Sequence, residues 1–435
     1  PSRRGNGRTP RRRMTIAPPF RTPFFYGWVI LAVSMAGCFL AAATNQIFMG
    51  VMLKPISDDL GWSRTATSGA FTIGTITAGL ASALVGPLVD RYGPRIVMPV
   101  GAVVSAVLLY ALAGIDSVVA FYVFYIAARV ISQATLAGVA PTTAMANWFL
   151  RRRGRAMGLV NMSLPLGGSV FAFVAPLVMG GIGGWRGVFA WSAVLTLLVA
   201  IPGGVLLRRR PEDVGLLPDG GPAAGSTSVG HPQGARAGEP APAYTLREAL
   251  RTSALWLIIF SQLIAAIAIS TFGFHQSSFY TDQGLDVVVA TLSVSMYGLA
   301  GALSSTAWGF LSERINERWL AMAAFLAGSA MMAFLVLGPL NEPLAITVSL
   351  ILGFTGRGQG ALFSILLARY YGRNSYGAIS GFIAPFQMAG LGLGPILGSA
   401  IYDGVGSYKG AFTLYFGFFL AAMALVYLAK APRRG

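Results

Sequence analysis

Residues 86–95 read Gly-Pro-Leu-Val-Asp-Arg-Tyr-Gly-Pro-Arg, and 223 positions later residues 309–318 read Gly-Phe-Leu-Ser-Glu-Arg-Ile-Asn-Glu-Arg. The same offset carries Asp59-Leu60-Gly61 onto Asp282-Gln283-Gly284, Gly154 and Gly158 onto Gly377 and Gly381, and Trp185-Arg186-Gly187-Val188-Phe189 onto Tyr408-Lys409-Gly410-Ala411-Phe412, with no gap. A register kept from residue 59 to residue 189 marks two copies of one half-length unit. In a membrane, two related halves can rock about a site placed between them.

The setting is a membrane. Hydrophobic residues make up 55% of the 435, charged residues only 11%, where a soluble domain carries about a quarter charged. Apolar stretches near the ~20 residues needed to cross a bilayer as helix recur from residues 27–51 to residues 411–429, six in each copy. No period-2 alternation supports a barrel. The expected fold is therefore all-α, with twelve transmembrane helices in two six-helix pseudo-symmetric bundles.

The net charge of +17 reports topology and argues against a nucleic-acid partner. With the N-terminus cytoplasmic, 26 of the 32 Lys and Arg fall on the cytoplasmic side and four on the other, while Arg129 and Arg357 lie inside spans. That asymmetry is the positive-inside rule, and it predicts a multi-pass cytoplasmic-membrane protein with both termini inside. The chain divides into a basic tail (1–25), an N-terminal bundle (26–207), a flexible linker (208–250) rich in Pro, Gly, Ser and Ala, a C-terminal bundle (251–430) and a short tail (431–435). Residues 244–251 have helical spacing and predict a short surface helix. Residues 1–13, before Met14, stay out of the fold reading. One cysteine, Cys38, excludes an internal disulfide, and nothing suggests a metal or cofactor. No nucleotide loop or nucleophile–base constellation points to an enzyme.

Gly86, Asp90, Arg91, Gly93 and Arg95, repeated in outline as Gly309, Glu313 and Arg314, resemble the signature loop of the major facilitator superfamily. The resemblance covers roughly residues 24–430 and implies a gating latch at the cytoplasmic surface. Three further stretches look like the monocarboxylate transporter branch and its oxalate/formate antiporter-like relatives. They are Tyr26-Gly27-Trp28-Val29-Ile30, the run from Leu53-Lys54-Pro55 to Trp62-Ser63-Arg64, and Trp148-Phe149-Leu150-Arg151-Arg152-Arg153-Gly154. That similarity implies transport of small organic carboxylates. Where those relatives carry an arginine in span 8 and an aspartate one turn earlier, this chain has Ser305 and Gly301.

The intramembrane charges are read on their own chemistry. A charge at the bilayer centre costs about 2.5 kcal/mol or more, so a chain that keeps Arg129 and Arg357 there uses them. All fifteen Asp and Glu fall in loops or at helix ends, which leaves an anionic substrate as the arginines' natural partner. Arg129 shares a helix face with Tyr122, Tyr125 and Gln133. Arg357, within Gly356-Arg357-Gly358-Gln359-Gly360, is the more telling of the two, because its flanking glycines leave room for a ligand that a guanidinium can grip with two hydrogen bonds. Neither arginine is demanded by the repeat, since Arg129 maps onto Leu352 and Arg357 onto Ala134. Asn45 adds a polar group to span 1. His275, placed at the outer end of span 7 where water reaches it, is a candidate for proton exchange; Lys54 is a candidate for attracting anions at the outer mouth.

These residues predict a secondary active transporter of a small organic anion, a mono- or dicarboxylate, driven by proton symport or anion exchange and working as a monomer. A multidrug/proton antiporter and a non-transporting anion receptor are the alternative readings. The first conflicts with the absence of a mid-span carboxylate in the sequence.

Overall fold

The computed structural model describes residues 24–150, 152–181, 183–220, 244–312, 314–371 and 376–432. The N-terminal half contains α1 (Gly27–Leu60), α2 (Arg64–Tyr92), α3 (Pro94–Leu112), α4 (Val118–Trp148), α5 (Arg153–Gly181) and α6 (Gly184–Leu206). Its counterpart contains α7 (Ser253–Asp282), α8 (Val287–Ser312), α9 (Glu317–Leu337), α10 (Glu342–Tyr371), α11 (Tyr376–Val405) and α12 (Lys409–Leu428). Among the described residues, eleven helices are each long and apolar enough to cross a membrane. The remaining one, α2, is 29 residues long and covers the second predicted span. The all-α, twelve-helix expectation holds.

The links between helices are short and chemically explicit. Leu60 is followed by Gly61 at φ 65°, a left-handed conformation that glycine adopts without strain, and Ser63 then caps α2 by accepting from the Ala66 amide at 3.1 Å. The signature stretch is mostly the last turns of α2 and the first of α3. Its only non-helical residue is Gly93 at φ 79°, followed by Pro94 at the first helical position of α3. In the second copy Asn316 stands where the first has glycine, and it caps α9 by accepting from the Arg318 amide at 2.9 Å.

Equivalent helices pack equivalently. Within the halves α3 lies on α6 as α9 lies on α12, and α2 lies on α4 as α8 lies on α10. Between them α2 packs on α11 and α5 on α8, with α1 facing α7. Small residues permit these approaches: a Cβ at Gly394 or Gly398 in α11 would run into Ser270, Thr271 and His275 of α7, and one at Gly50 in α1 would strike the Phe274 carbonyl.

Three helices depart from regularity partway along their length. α1 passes from α-helix at Leu40 into a tighter 3-10 turn over Ala41–Thr44, becomes extended at Asn45 (φ −82°, ψ 165°) and restarts at Gln46. α4 widens into a π-helical stretch over Gln133–Gly138, and α10 is interrupted at Gly358 between Arg357 and Gln359. The repeat offset carries residues 133–138 onto 356–361, so α4 and α10 are distorted at the same place. The α1 break has no such mate, because the equivalent residues 264–268 lie inside an unbroken α7.

The linker expectation needs correction at its start. Residues 208–220 pack onto the N-terminal half: Arg208 donates to the Val205 carbonyl at 2.6 Å, its own carbonyl accepts from the Trp148 indole at 3.2 Å, and Asp219 accepts from the Leu150 amide at 2.9 Å. The rest of the predicted linker, 221–243, lies outside the described residues, as do most of the basic N-terminal tail and residues 433–435. The short helix expected over 244–251 is present as Leu246–Ala249, held by a reciprocal cap between Thr245 and Glu248.

Candidate functional site

All three irregular stretches border one cavity. It has a volume of about 530 Å³ and lies between the halves, lined from the N-terminal side by Asn45, Gln46, Phe71, Thr75, Arg129 and Gln133 and from the C-terminal side by residues that include Gln262, Arg357, Gln359, Phe363 and Gln387. Read along the helices, the lining runs from their midpoints toward the ends that carry the signature stretches. Two arginines 228 positions apart, predicted independently of the repeat, thus share one space. Among the described residues that line it, none is acidic.

The arginines are held differently. Arg129 is only 7% exposed, and its Nε and Nη1 have no hydrogen-bond partner. Its stem crosses Gly74, where a Cβ would come within 3.2 Å of Cγ, and its guanidinium lies 5.4 Å from the Phe71 ring centroid. Arg357 is half-buried and lies 5.5 Å from the Tyr297 ring centroid. Its stem passes Gly301, where a Cβ would lie 2.6 Å from the arginine Cδ. The glycine that stands where the resembled carriers have an aspartate is therefore what gives Arg357 room to reach the cavity.

Beside Arg129, Asn45 uses its Oδ1 to cap Gln46 at 2.7 Å, which leaves its Nδ2 buried and unpartnered. Gln46 reaches across to the Ser270 carbonyl of α7. Gln262 accepts from Gln387 through its Oε1, while its own Nε2 and that of Gln359 are buried without partners. Most free groups on the wall are therefore hydrogen-bond donors. A buried donor left unmade costs about 1–3 kcal/mol, so a wall of this kind is built for oxygen acceptors.

The opposite end of the molecule is closed. Asp282 of α7 accepts from Lys54 at 2.8 Å and from both terminal nitrogens of Arg64 at 2.7 and 3.1 Å. Arg64 also donates to the Tyr408 hydroxyl at 2.8 Å and stacks 3.8 Å over the Tyr402 ring, and Asp403 caps the start of α2 through the Thr65 amide at 2.8 Å. Below this layer Phe71 meets Phe274 at 5.0 Å, Thr72 donates to the Gly392 carbonyl, and Ser295 donates to the Ser169 carbonyl. Every one of these contacts joins the two halves.

Several predicted residues stand elsewhere. His275 is not where water reaches it: it is fully buried, bonded through Nε2 to the Pro395 carbonyl at 2.8 Å, with its ring 4.8 Å from Tyr408, and it does not line the cavity. Tyr125 is likewise packed, donating to the Thr44 carbonyl at 2.9 Å and stacked on Phe121, although it shares a helix face with Arg129. Lys54 lies at the closed end, paired with Asp282 beside a separate hollow of about 380 Å³. Of the signature residues, Arg91 and Arg95 are exposed, and Gly93 lies under the Arg209 side chain, 3.0 Å from where its Cβ would be. Burial, joined by the like charge of Arg95, holds Arg208 below the usual arginine range. Gly309 faces open space and the Arg314 amide bonds the Leu311 carbonyl. The surroundings of Gly86, the Asp90 side chain and the whole of Glu313 lie outside what is described.

The sequence reading missed Gln46, Gln262, Gln359, Gln387 and Phe71. The signal for the glutamines is present in the sequence, because each is an uncharged amide inside an apolar run.

Two six-helix bundles that meet through symmetry-equivalent helices, close at one end and enclose a polar cavity toward the other, have the architecture of a membrane transporter. The family model for the Major Facilitator Superfamily matches residues 34–390 and 292–435, and the chain belongs to that superfamily. Among its relatives, the oxalate:formate antiporter of Oxalobacter formigenes is 23% identical over 415 residues, 94% of this chain and 93% of that one. The gallate transporter of Pseudomonas putida is 24% identical over 86% of this chain and 88% of its own. A probable L-galactonate transporter of Escherichia coli (strain K12) is 29% identical over 191 residues, 43% of this chain and 41% of that protein. The fold is also that of a bacterial homolog of the human lysosomal transporter Spinster, solved in an inward-facing and occupied conformation, with TM-score 0.72, 17% identity, and coverage of 94% of this chain and 97% of that one.

Proposed function

We propose that this transporter moves a small organic anion, bound in the cavity between the halves with Arg129 as its principal anchor and Arg357 as its second. The observation that carries this reading is the buried guanidinium of Arg129, with two of its nitrogens unpartnered, facing a cavity whose described lining holds no carboxylate. A charge so placed is stable only with a counter-charge, and the ligand supplies it. The relatives named for oxalate and formate, gallate and L-galactonate support an anionic carboxylate as that ligand.

In this reading the present conformation opens toward the signature stretches, which the charge distribution assigns to the cytoplasm. Transport requires the opposite end to part, so the Lys54–Asp282 and Arg64–Asp282 pairs break as the halves rock. The signature stretches act as the latch of the other state. Purified protein in sealed vesicles tests this: uptake of a labelled carboxylate should be saturable in the native chain and lost in Arg129→Gln. Normal affinity in Arg129→Gln would refute the anchor. Comparing vesicles with and without a pH gradient, preloaded and empty, separates proton symport from anion exchange.

A further inference from the structure

We infer that the transported anion is a polyhydroxylated carboxylate, with its carboxylate seated between Arg129 and the break in α1 and its hydroxyl groups held by the amide side chains of the C-terminal half. This rests on the anion-transport reading above and adds the chemical class.

The seat combines three features. The 15-residue helical piece Gln46–Leu60 begins at the cavity wall, and the start of a helix carries a partial positive charge and amides without intrahelical acceptors. Asn45 is 5% exposed with its Nδ2 unpartnered, and Arg129 is 7% exposed with Nε and Nη1 unpartnered. α4 is tied to the break by Tyr125, which donates to the Thr44 carbonyl at 2.9 Å, and by Ser132, whose hydroxyl lies 2.7 Å from that of Thr44. The guanidinium and the helix start are thus held on one frame. Arg357 is half-exposed and lies against Tyr297, so it does not require a second full negative charge on the ligand.

The remainder of the wall decides between an apolar and an oxygenated tail. Gln262 and Gln359 are 6% and 5% exposed, and each buries an unpartnered amide nitrogen beside the cavity, with Gln387 and Gln133 alongside. A hydrocarbon chain would leave those donors unpaired, whereas a hydroxyl both accepts and donates and so matches an amide in either orientation. Thr75 adds another buried hydroxyl without a partner. Phe71, Phe363 and Ile269 supply apolar surface for the C–H faces of such a molecule. A site built to bond hydroxyls discriminates strongly against analogues that lack them.

The test is equilibrium binding to the full-length detergent-solubilised protein of three six-carbon acids: D-gluconate, hexanoate and adipate. Gluconate should bind at least ~10-fold more tightly than either of the others, and Gln359→Leu should remove most of that advantage while leaving hexanoate unchanged or improved. Hexanoate or adipate binding as tightly as gluconate would overturn this inference and leave anion transport standing, as would a Gln359→Leu effect equal on all three. Silence of all three acids would likewise overturn this inference, and anion transport would then stand or fall on the uptake assay with Arg129→Gln.

Discussion

At residue 45 the N-terminal half breaks its first helix, caps the new start with Asn45 and sets Arg129 beside it. At the equivalent position the C-terminal half carries Ala268 through an unbroken α7, with Leu352 where the arginine would be. The difference runs through the whole cavity. Arg357 maps onto Ala134, Gln359 onto Leu136, Gln262 onto Phe39 and Gln387 onto Leu164. The cavity polar groups lack like mates, although the helices that carry them pack as symmetric pairs. Duplication therefore accounts for the scaffold and the seam between its halves, and divergence after it accounts for the polar lining. The N-terminal half supplies a buried cation with two unpartnered nitrogens, and the C-terminal half supplies a half-exposed one; each half contributes three of the six cavity amides.

Arg129→Gln breaks this comparison most severely, removing the buried cation for which the anion is the partner. Substrate affinity in vesicle uptake should fall by at least ~30-fold, the scale of losing one member of a buried charge pair. Moving the charge by combining Arg129→Leu with Leu352→Arg should not restore uptake, because α7 offers no helix start beside Leu352. Recovery in that double variant would show that either half can serve as the anchor. Arg357→Gln should cost less, about 10-fold, since that guanidinium is partly hydrated before substrate arrives. Gly301→Leu should match it without touching the charge, because a side chain there displaces the Arg357 stem. Folding of Gly301→Leu is checked by its elution as a single species.

The smallest effect concerns the closed end. Asp282→Asn removes the acceptor shared by Lys54 and Arg64, and partly exposed pairs of this kind are worth about 1 kcal/mol each. In a Cys38→Ala background carrying Thr75→Cys, labelling by an impermeant thiol reagent added outside should rise about two- to tenfold. No change would mean that the aromatic layer of Phe71, Phe274, Tyr402 and Tyr408 closes that end alone.

Much of this is legible in the sequence. The repeat located the two halves, hydropathy located the spans, and the cost of intramembrane charge picked out both arginines that line the cavity. Three things are not. The α1 break falls in Ala41-Ala42-Ala43-Thr44, where three strong helix formers run straight into the interruption, and only Asn45-Gln46 hints at it. Sequence position put His275 near the end of α7 where water would reach it, but its ring faces α11 and is buried. The Lys54–Asp282 pair joins residues 228 positions apart, a contact that depends on how the halves meet. The proposed function also ranks the two arginines in the opposite order. Flanking glycines made Arg357 the more telling candidate in sequence, yet burial without a partner singles out Arg129.

The central claim is that an anion completes Arg129. It is tested most directly by thermal unfolding of the purified native and Arg129→Gln proteins against a panel of mono-, di- and hydroxycarboxylates, since a ligand that binds only the folded state raises its stability. The account predicts that at least one carboxylate stabilises the native protein in a concentration-dependent way and that this response is lost in Arg129→Gln. A carboxylate that stabilises both proteins equally would contradict it.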